Sequence, residues 1–164
     1  MKKITLFILS FAFALSALAL LPHKHRKQQS SSEIISVSMR RTGCYGRCPD
    51  YTIKIDKEGI VTYTGNRFVT DSGIFRKNIG STKAMEIIDQ FYTYQVDTCN
   101  DEYYNKISDL PGLILTVQYI THTKRILNAH YGPRFLAVLA NTIEVAGKKT
   151  DDIGWEKIVA PVTK

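Results

Sequence analysis

From Glu33 onward the apolar side chains recur with two distinct periods. Ile35, Val37 and Met39 alternate with Ser36 and Ser38, and Tyr51, Ile53 and Ile55 alternate with Thr52, Lys54 and Asp56. A period of two puts one side of an extended chain on a core and the other in water, so each run predicts a half-buried strand. Asp56-Lys57-Glu58-Gly59 interrupts the pattern. Gly59 supplies the positive φ that a short hairpin loop needs before Ile60 to Thr64 resumes as a strand. Arg67 to Thr70 and Ile74 to Ile79 flank Asp71-Ser72-Gly73 and predict another hairpin.

At Ser81 the period changes. Ala84, Met85, Ile88, Phe91 and Tyr92 fall at helical spacing behind a Ser81 or Thr82 cap, which predicts a helix over 82–94. Gln95 to Leu110 mixes Asp, Asn and Tyr and reads as a surface-wrapping segment with little regular structure. Leu113, Leu115, Val117 and Tyr119 mark the next strand, and Leu127, Ala129 and Tyr131 its partner across Thr121-His122-Thr123. Gly132-Pro133 then opens a second helix, with Phe135, Leu136, Leu139, Ile143 and Ala146 on one side and Gly147 as its stop. The order ββββαββα with short connections predicts an α+β domain, an antiparallel sheet of about six strands with both helices on one face.

A length of 164 residues confines the chain to one such domain and excludes a multidomain enzyme. Lys2 and Lys3, the apolar run from Ile4 and the Ser16-Ala17-Leu18-Ala19 ending have the order of a secretory signal peptide over 1–19, cleaved near Leu20. The competing expectation is an uncleaved membrane anchor over 4–21. Residues 20–32, including His23-Lys24-His25-Arg26-Lys27, read as a basic polar spacer, 33–147 as the domain and 148–164 as a C-terminal tail. The charge then changes meaning. The formal +7 would suggest a nucleic-acid partner, but Lys2, Lys3, Lys24, Arg26 and Lys27 precede the domain and no acidic residue does, so Glu33 to Lys164 carries only +2. The expected setting is the periplasm or cell envelope, with no nucleic acid among the partners.

One loop departs from generic patterning: Arg41-Thr42-Gly43-Cys44-Tyr45-Gly46-Arg47-Cys48-Pro49-Asp50-Tyr51, between the first two strands. In an exported chain the default for two cysteines four apart is a Cys44 to Cys48 disulfide that shapes the loop, with Cys99 left over or pairing with one of them. Three functional readings stand beside it. A labile pair near Arg47 would serve thiol exchange. Cys-x-x-x-Cys-Pro with a distant histidine, here His130, is also the pattern of copper-delivery proteins of the Sco type, which would make Cys44, Cys48 and His130 metal ligands. Backbone amides at Gly43 and Gly46, with Arg40, Arg41 and Arg47, would receive a carboxylate or phosphate.

The same run, followed by Tyr63-Thr64-Gly65-Asn66-Arg67-Phe68-Val69, by Asp109-Leu110-Pro111 and by His130-Tyr131-Gly132, resembles an uncharacterised bacterial family, domain of unknown function 6438, over about Ile35 to Gly147. The resemblance implies an envelope or secreted setting and brings no activity, cofactor or catalytic residue with it. The chain has no Gly-x-Ser-x-Gly, His-Glu-x-x-His, phosphate-loop or dinucleotide signature. The reading is therefore a non-catalytic envelope module, without cofactor, that binds a protein, peptide or glycan through Arg41, Tyr45, Arg47 and Asp50. Its alternative is a thiol-redox or copper protein using Cys44 and Cys48.

Overall fold

A computed structural model describes residues 33–103 and 111–158. The expected signal peptide and spacer lie outside the described residues. The alternating runs form β1 (Ile34–Arg41), β2 (Asp50–Asp56) and β3 (Ile60–Arg67), and β4 (Gly73–Asn78) follows. Then come α1 (Ser81–Thr93), a single 3-10 turn at Val96–Thr98, β5 (Glu102–Tyr103), β6 (Leu113–Tyr119), β7 (Thr123–Asn128), α2 (Arg134–Gly147) and β8 (Glu156–Ile158). All the strands lie in one sheet of order β5-β7-β6-β1-β2-β3-β4-β8, antiparallel except where β5 runs parallel to β7. The fold class is α+β, as the hairpin-rich order implied.

The pleat divides the sheet into two chemically different faces. Register pairs Met39 with Ile53 and Leu115, and Val37 with Ile55 and Val117, so these residues share one side. They are buried together with Val61 and Ile126 and with Ala84, Ile87, Ile88 and Phe91 of α1 and Leu136, Leu139, Ala140 and Ile143 of α2. Burying each such aliphatic side chain is worth roughly 1.5–3 kcal/mol, which makes this layer the dominant source of stability. The other side carries Arg40, Lys54, Arg76 and Arg125, all exposed, among half-buried Ser38, Thr52, Thr62, Thr64 and Thr116.

Several expectations are corrected. The sheet has eight strands instead of about six, because Glu102–Tyr103 and Glu156–Ile158 each add a short edge strand; the second lies in the segment read as a tail. Trp155, just before it, meets Tyr63 edge-on at 6.3 Å between ring centres. No separate strand forms at Arg67 to Thr70, since β3 itself continues to Arg67, which pairs with Asp50 of β2, and β4 pairs with Ile60 to Gly65 of β3. The cap of α1 is Gly80, at φ 81°, and neither Ser81 nor Thr82 makes a side-chain cap bond. Ile87 is buried in α1, whereas Met85 is 39% exposed. In β7 the inward residues are Ile126 and Asn128, one position out of step with the Leu127, Ala129 and Tyr131 expected; Ile126 pairs with Leu115 on the core face, which sends Leu127 to the other.

Two glycines show how closely the layers approach. Gly59 has φ +94°, and a Cβ there would lie 2.4 Å from the Gly80 carbonyl carbon, so the hairpin turn fits against the start of α1 only because Gly59 has no side chain. Gly147, expected as a helix stop through its backbone freedom, is instead the last residue of α2 packed flat on the sheet: a Cβ would meet Ile53 at 2.3 Å and Val61 at 2.8 Å. Replacing Gly147 with Ala should therefore cost about 1–3 kcal/mol through overpacking in a core that has no slack. Gly43→Ala, where a Cβ has nothing within 4 Å, is the control and should change urea-unfolding stability by less than about 0.5 kcal/mol.

Candidate functional site

The loop between β1 and β2 is held at both ends. Arg41 closes β1 and pairs across the ladder with Tyr51 of β2. Because the two sit opposite one another, their side chains leave the sheet on the same side, toward α2. There Glu144 receives both: Arg41 Nη2 donates to Oε2 at 2.6 Å and the Tyr51 hydroxyl donates to Oε1 at 2.5 Å. Lys148, one turn on, stands 3.7 Å from Oε1. Burial by itself would raise the Glu144 carboxyl, but the hydrogen bonds from Tyr51 and Arg41 outweigh it and hold its pKa below the ordinary carboxylate range. The Tyr51 hydroxyl responds oppositely, pushed up to about 12 by burial and by its bond to the Glu144 carboxylate.

Between these feet the backbone is pinned twice more. Thr42 exchanges bonds with Gly112, its amide donating to the Gly112 carbonyl at 2.9 Å and its hydroxyl accepting the Gly112 N–H at 2.8 Å. Cys44 and Cys48 are joined in a disulfide, their Cα atoms 5.5 Å apart. The tip that remains projects outward: Tyr45 is 94% exposed, and the Arg47 side chain is exposed with no ion-pair partner among the described residues.

The residues picked out by sequence thus fall into three places. Arg41 is drawn inward to Glu144. Asp50 leaves on the opposite face, where Arg40 donates to it from Nε at 3.1 Å and from Nη2 at 2.9 Å and Asn66 donates at 2.9 Å. The Arg40 hydrogen bond, opposed by burial and supported by Asn66, keeps the Asp50 carboxyl below its usual range. Only Tyr45 and Arg47 occupy the tip. His130, at φ +69° beyond the end of β7, turns Nε2 to within 3.2 Å of the Pro111 carbonyl. With the sulfurs of Cys44 and Cys48 bonded to each other, they could ligate copper only after that bond is reduced, whereas a thiol exchange would begin by attack on it. No group of three or more His, Cys, Asp or Glu among the described residues is placed to hold a metal. Cys99 is half-buried and is not in a disulfide; its carbonyl accepts from Lys124 Nζ at 2.5 Å.

Two small clefts flank the clamp. One, of about 200 Å³, lies between the sheet end and the first turn of α2 and includes Arg41, Asn128, His130 and Arg134 in its wall. The other, of about 210 Å³, is lined by Pro49, Tyr51, Tyr63 and Phe68 with Asp71 and Lys148. Both are smaller than the roughly 300–1,000 Å³ that encloses a whole small molecule, so each suits one group of a larger ligand. Sequence reasoning missed Glu144, Asn128 and Arg134. A signal for Glu144 was available, an acid four residues after Ala140 on an otherwise apolar stripe. Arg134 stood in the first turn of a predicted helix, and Asn128 gave no signal.

A single, mostly antiparallel sheet covered by two helices, with its first strand connection joined by a disulfide and clamped by Glu144, defines an α+β domain. The family model described as Domain of unknown function (DUF6438) matches residues 35–146, and the chain belongs to that family. No curated protein matches the chain. No helix among the described residues is long and apolar enough to cross a membrane.

Glu144→Gln should lower stability at pH 7 by about 1–3 kcal/mol, because it removes the charge that satisfies Arg41 and Tyr51. Since the folded pKa of Glu144 is depressed, its contribution is present above the ordinary carboxylate pKa and is lost as pH falls through the lowered value. The gap between wild type and variant in urea unfolding should therefore close on acidification. Replacing both Cys44 and Cys48 with Ser should cost no more than about 2 kcal/mol, the chain-entropy value for so short a loop, in the same measurement.

Proposed function

We propose that the protein is a non-catalytic binding module of the cell envelope that grips a protein, peptide or envelope glycan with the stapled loop and the strand ends beside it. The observation that carries this reading is Tyr45, 94% exposed at the tip of a loop tied at its feet, its flanks and across its middle. An exposed aromatic ring has a hydration cost that a partner removes, and Tyr offers contact area with few rotors to freeze. A loop already held in one shape loses little conformational freedom on association. Arg47 beside it adds a planar donor fork for a carboxylate, phosphate or backbone carbonyl.

The disulfide supports an oxidising compartment, where such bonds form and persist. The N-terminal pattern of a signal peptide points the same way, and an exported domain carrying only +2 beyond its leader and spacer is suited to an envelope partner rather than to nucleic acid.

The test is crosslinking in intact cells that produce the full chain. Tyr45→Ala combined with Arg47→Ala should reduce the yield of crosslinked partner at least about tenfold, the effect of losing 1.4 kcal/mol of binding, while leaving the unfolding midpoint unchanged. An identical crosslink pattern in wild type and double variant would overturn the reading.

A further inference from the structure

We propose that the cleft between the sheet end and the first turn of α2 is a carboxylate-binding subsite serving the ligand of the adjoining loop, an inference that rests on the binding reading above. Asn128 carries the argument. It is only 6% exposed, and its Oδ1 accepts the Gly132 N–H at 3.0 Å. That bond determines which way the carboxamide is turned, because the amino group cannot face another donor. Asn128 lines the cleft, and its Nδ2, which donates to no acceptor among the described residues, stays open to solvent there, since no buried side-chain nitrogen or oxygen among them lacks a partner. An amide donor left to solvent in a cleft wall is open to an acceptor from a ligand.

The surrounding charges say what kind of acceptor. Arg134 opens α2 in the same cleft and has no ion-pair partner among the described residues. Arg41 lines it too, but its charge is matched by Glu144 at 2.6 Å. The start of α2 adds backbone N–H groups that no side chain caps. One uncompensated cation, a carboxamide donor and helix-start amides complement a monoanion with two acceptor oxygens, the description of a carboxylate, better than a dianionic phosphate. The volume of about 200 Å³ holds such a group and leaves the rest of the ligand outside, toward the Thr42 end of the loop, which is tied to Gly112 beside Leu113 of the cleft wall.

The experiment is a titration of the ¹⁵N-labelled full chain, followed through the Asn128 side-chain amide and the backbone amides of Arg134 and Phe135. The probes are N-acetylalanine and glucuronate as carboxylates from a peptide or a sugar source, N-acetylalaninamide as the uncharged control, and inorganic phosphate. Saturable shifts at these three residues with at least one carboxylate and none with the amide are expected, and whichever carboxylate binds more tightly identifies the source. Arg134→Gln, at an exposed position, should weaken that binding at least about tenfold without changing the rest of the spectrum.

Absence of saturable shifts, phosphate binding as tight as the carboxylates, or an Arg134→Gln variant that binds equally well would each overturn the proposal. Failure here is separable from failure of the loop reading. If Tyr45→Ala with Arg47→Ala abolishes cellular crosslinks while no carboxylate titrates, the subsite is wrong and the loop stands. If carboxylates titrate and the crosslinks do not depend on the loop, the reverse holds.

Discussion

One carboxylate on α2 organises the part of this protein that meets the outside. Glu144 accepts from Arg41 at the end of one strand and from Tyr51 at the start of the next, so a helix residue sets the separation and direction of both feet of the loop between them. Both contacts are short and made to a charged group, which strengthens them. The disulfide, the Thr42 to Gly112 exchange and the two clefts lie around that clamp.

The clamp itself depends on how α2 lies on the sheet. Leu136, Leu139, Ala140 and Ile143 seat the helix in the apolar layer, and Gly147 lets its end come down onto Ile53 and Val61 without intervening atoms. This close approach brings a helix acid within reach of strand side chains. The hydrophobic layer thus supplies the energy, and the polar contacts at its margin supply the aim, as expected when burial is large and non-directional while hydrogen bonds are modest and geometric. The opposite face of the sheet behaves differently: Arg40, Asp50 and Asn66 form a polar group in solvent that braces the same loop from outside.

Much of the architecture was readable along the chain because period two and period 3.6 are local consequences of which side of an element is buried. The first three strands, the two helices and the hairpin at Gly59 were visible in this way. The misses share a cause. β5 and β8 are too short for any period to show, and each exists only because a neighbouring edge offers free N–H and C=O groups. In β7, Leu127 looks like a core residue from its type, but the pairing of Ile126 with Leu115 sets the phase, and a slip of one residue exchanges the faces. Gly80 in place of Ser81 as the α1 cap goes with its φ of 81°, a positive value that favours glycine and that helical periodicity does not signal.

The site divides along the same line. The sequence by itself determined that two cysteines four apart, between glycines and before a proline, would make a short shaped loop, since turn chemistry and disulfide closure act within a few residues. It also determined the balance of charge, most of whose excess lies ahead of the domain. Only the tertiary structure decided that Arg41 turns inward and Asp50 outward, because adjacent ladder positions point to opposite faces. It alone brought Glu144 from α2 to Tyr51 and Arg41. Those pairings join segments whose spacing along the chain carries no trace of their distance in space, and they arise when the apolar layer closes and leaves polar side chains at its margin to find one another.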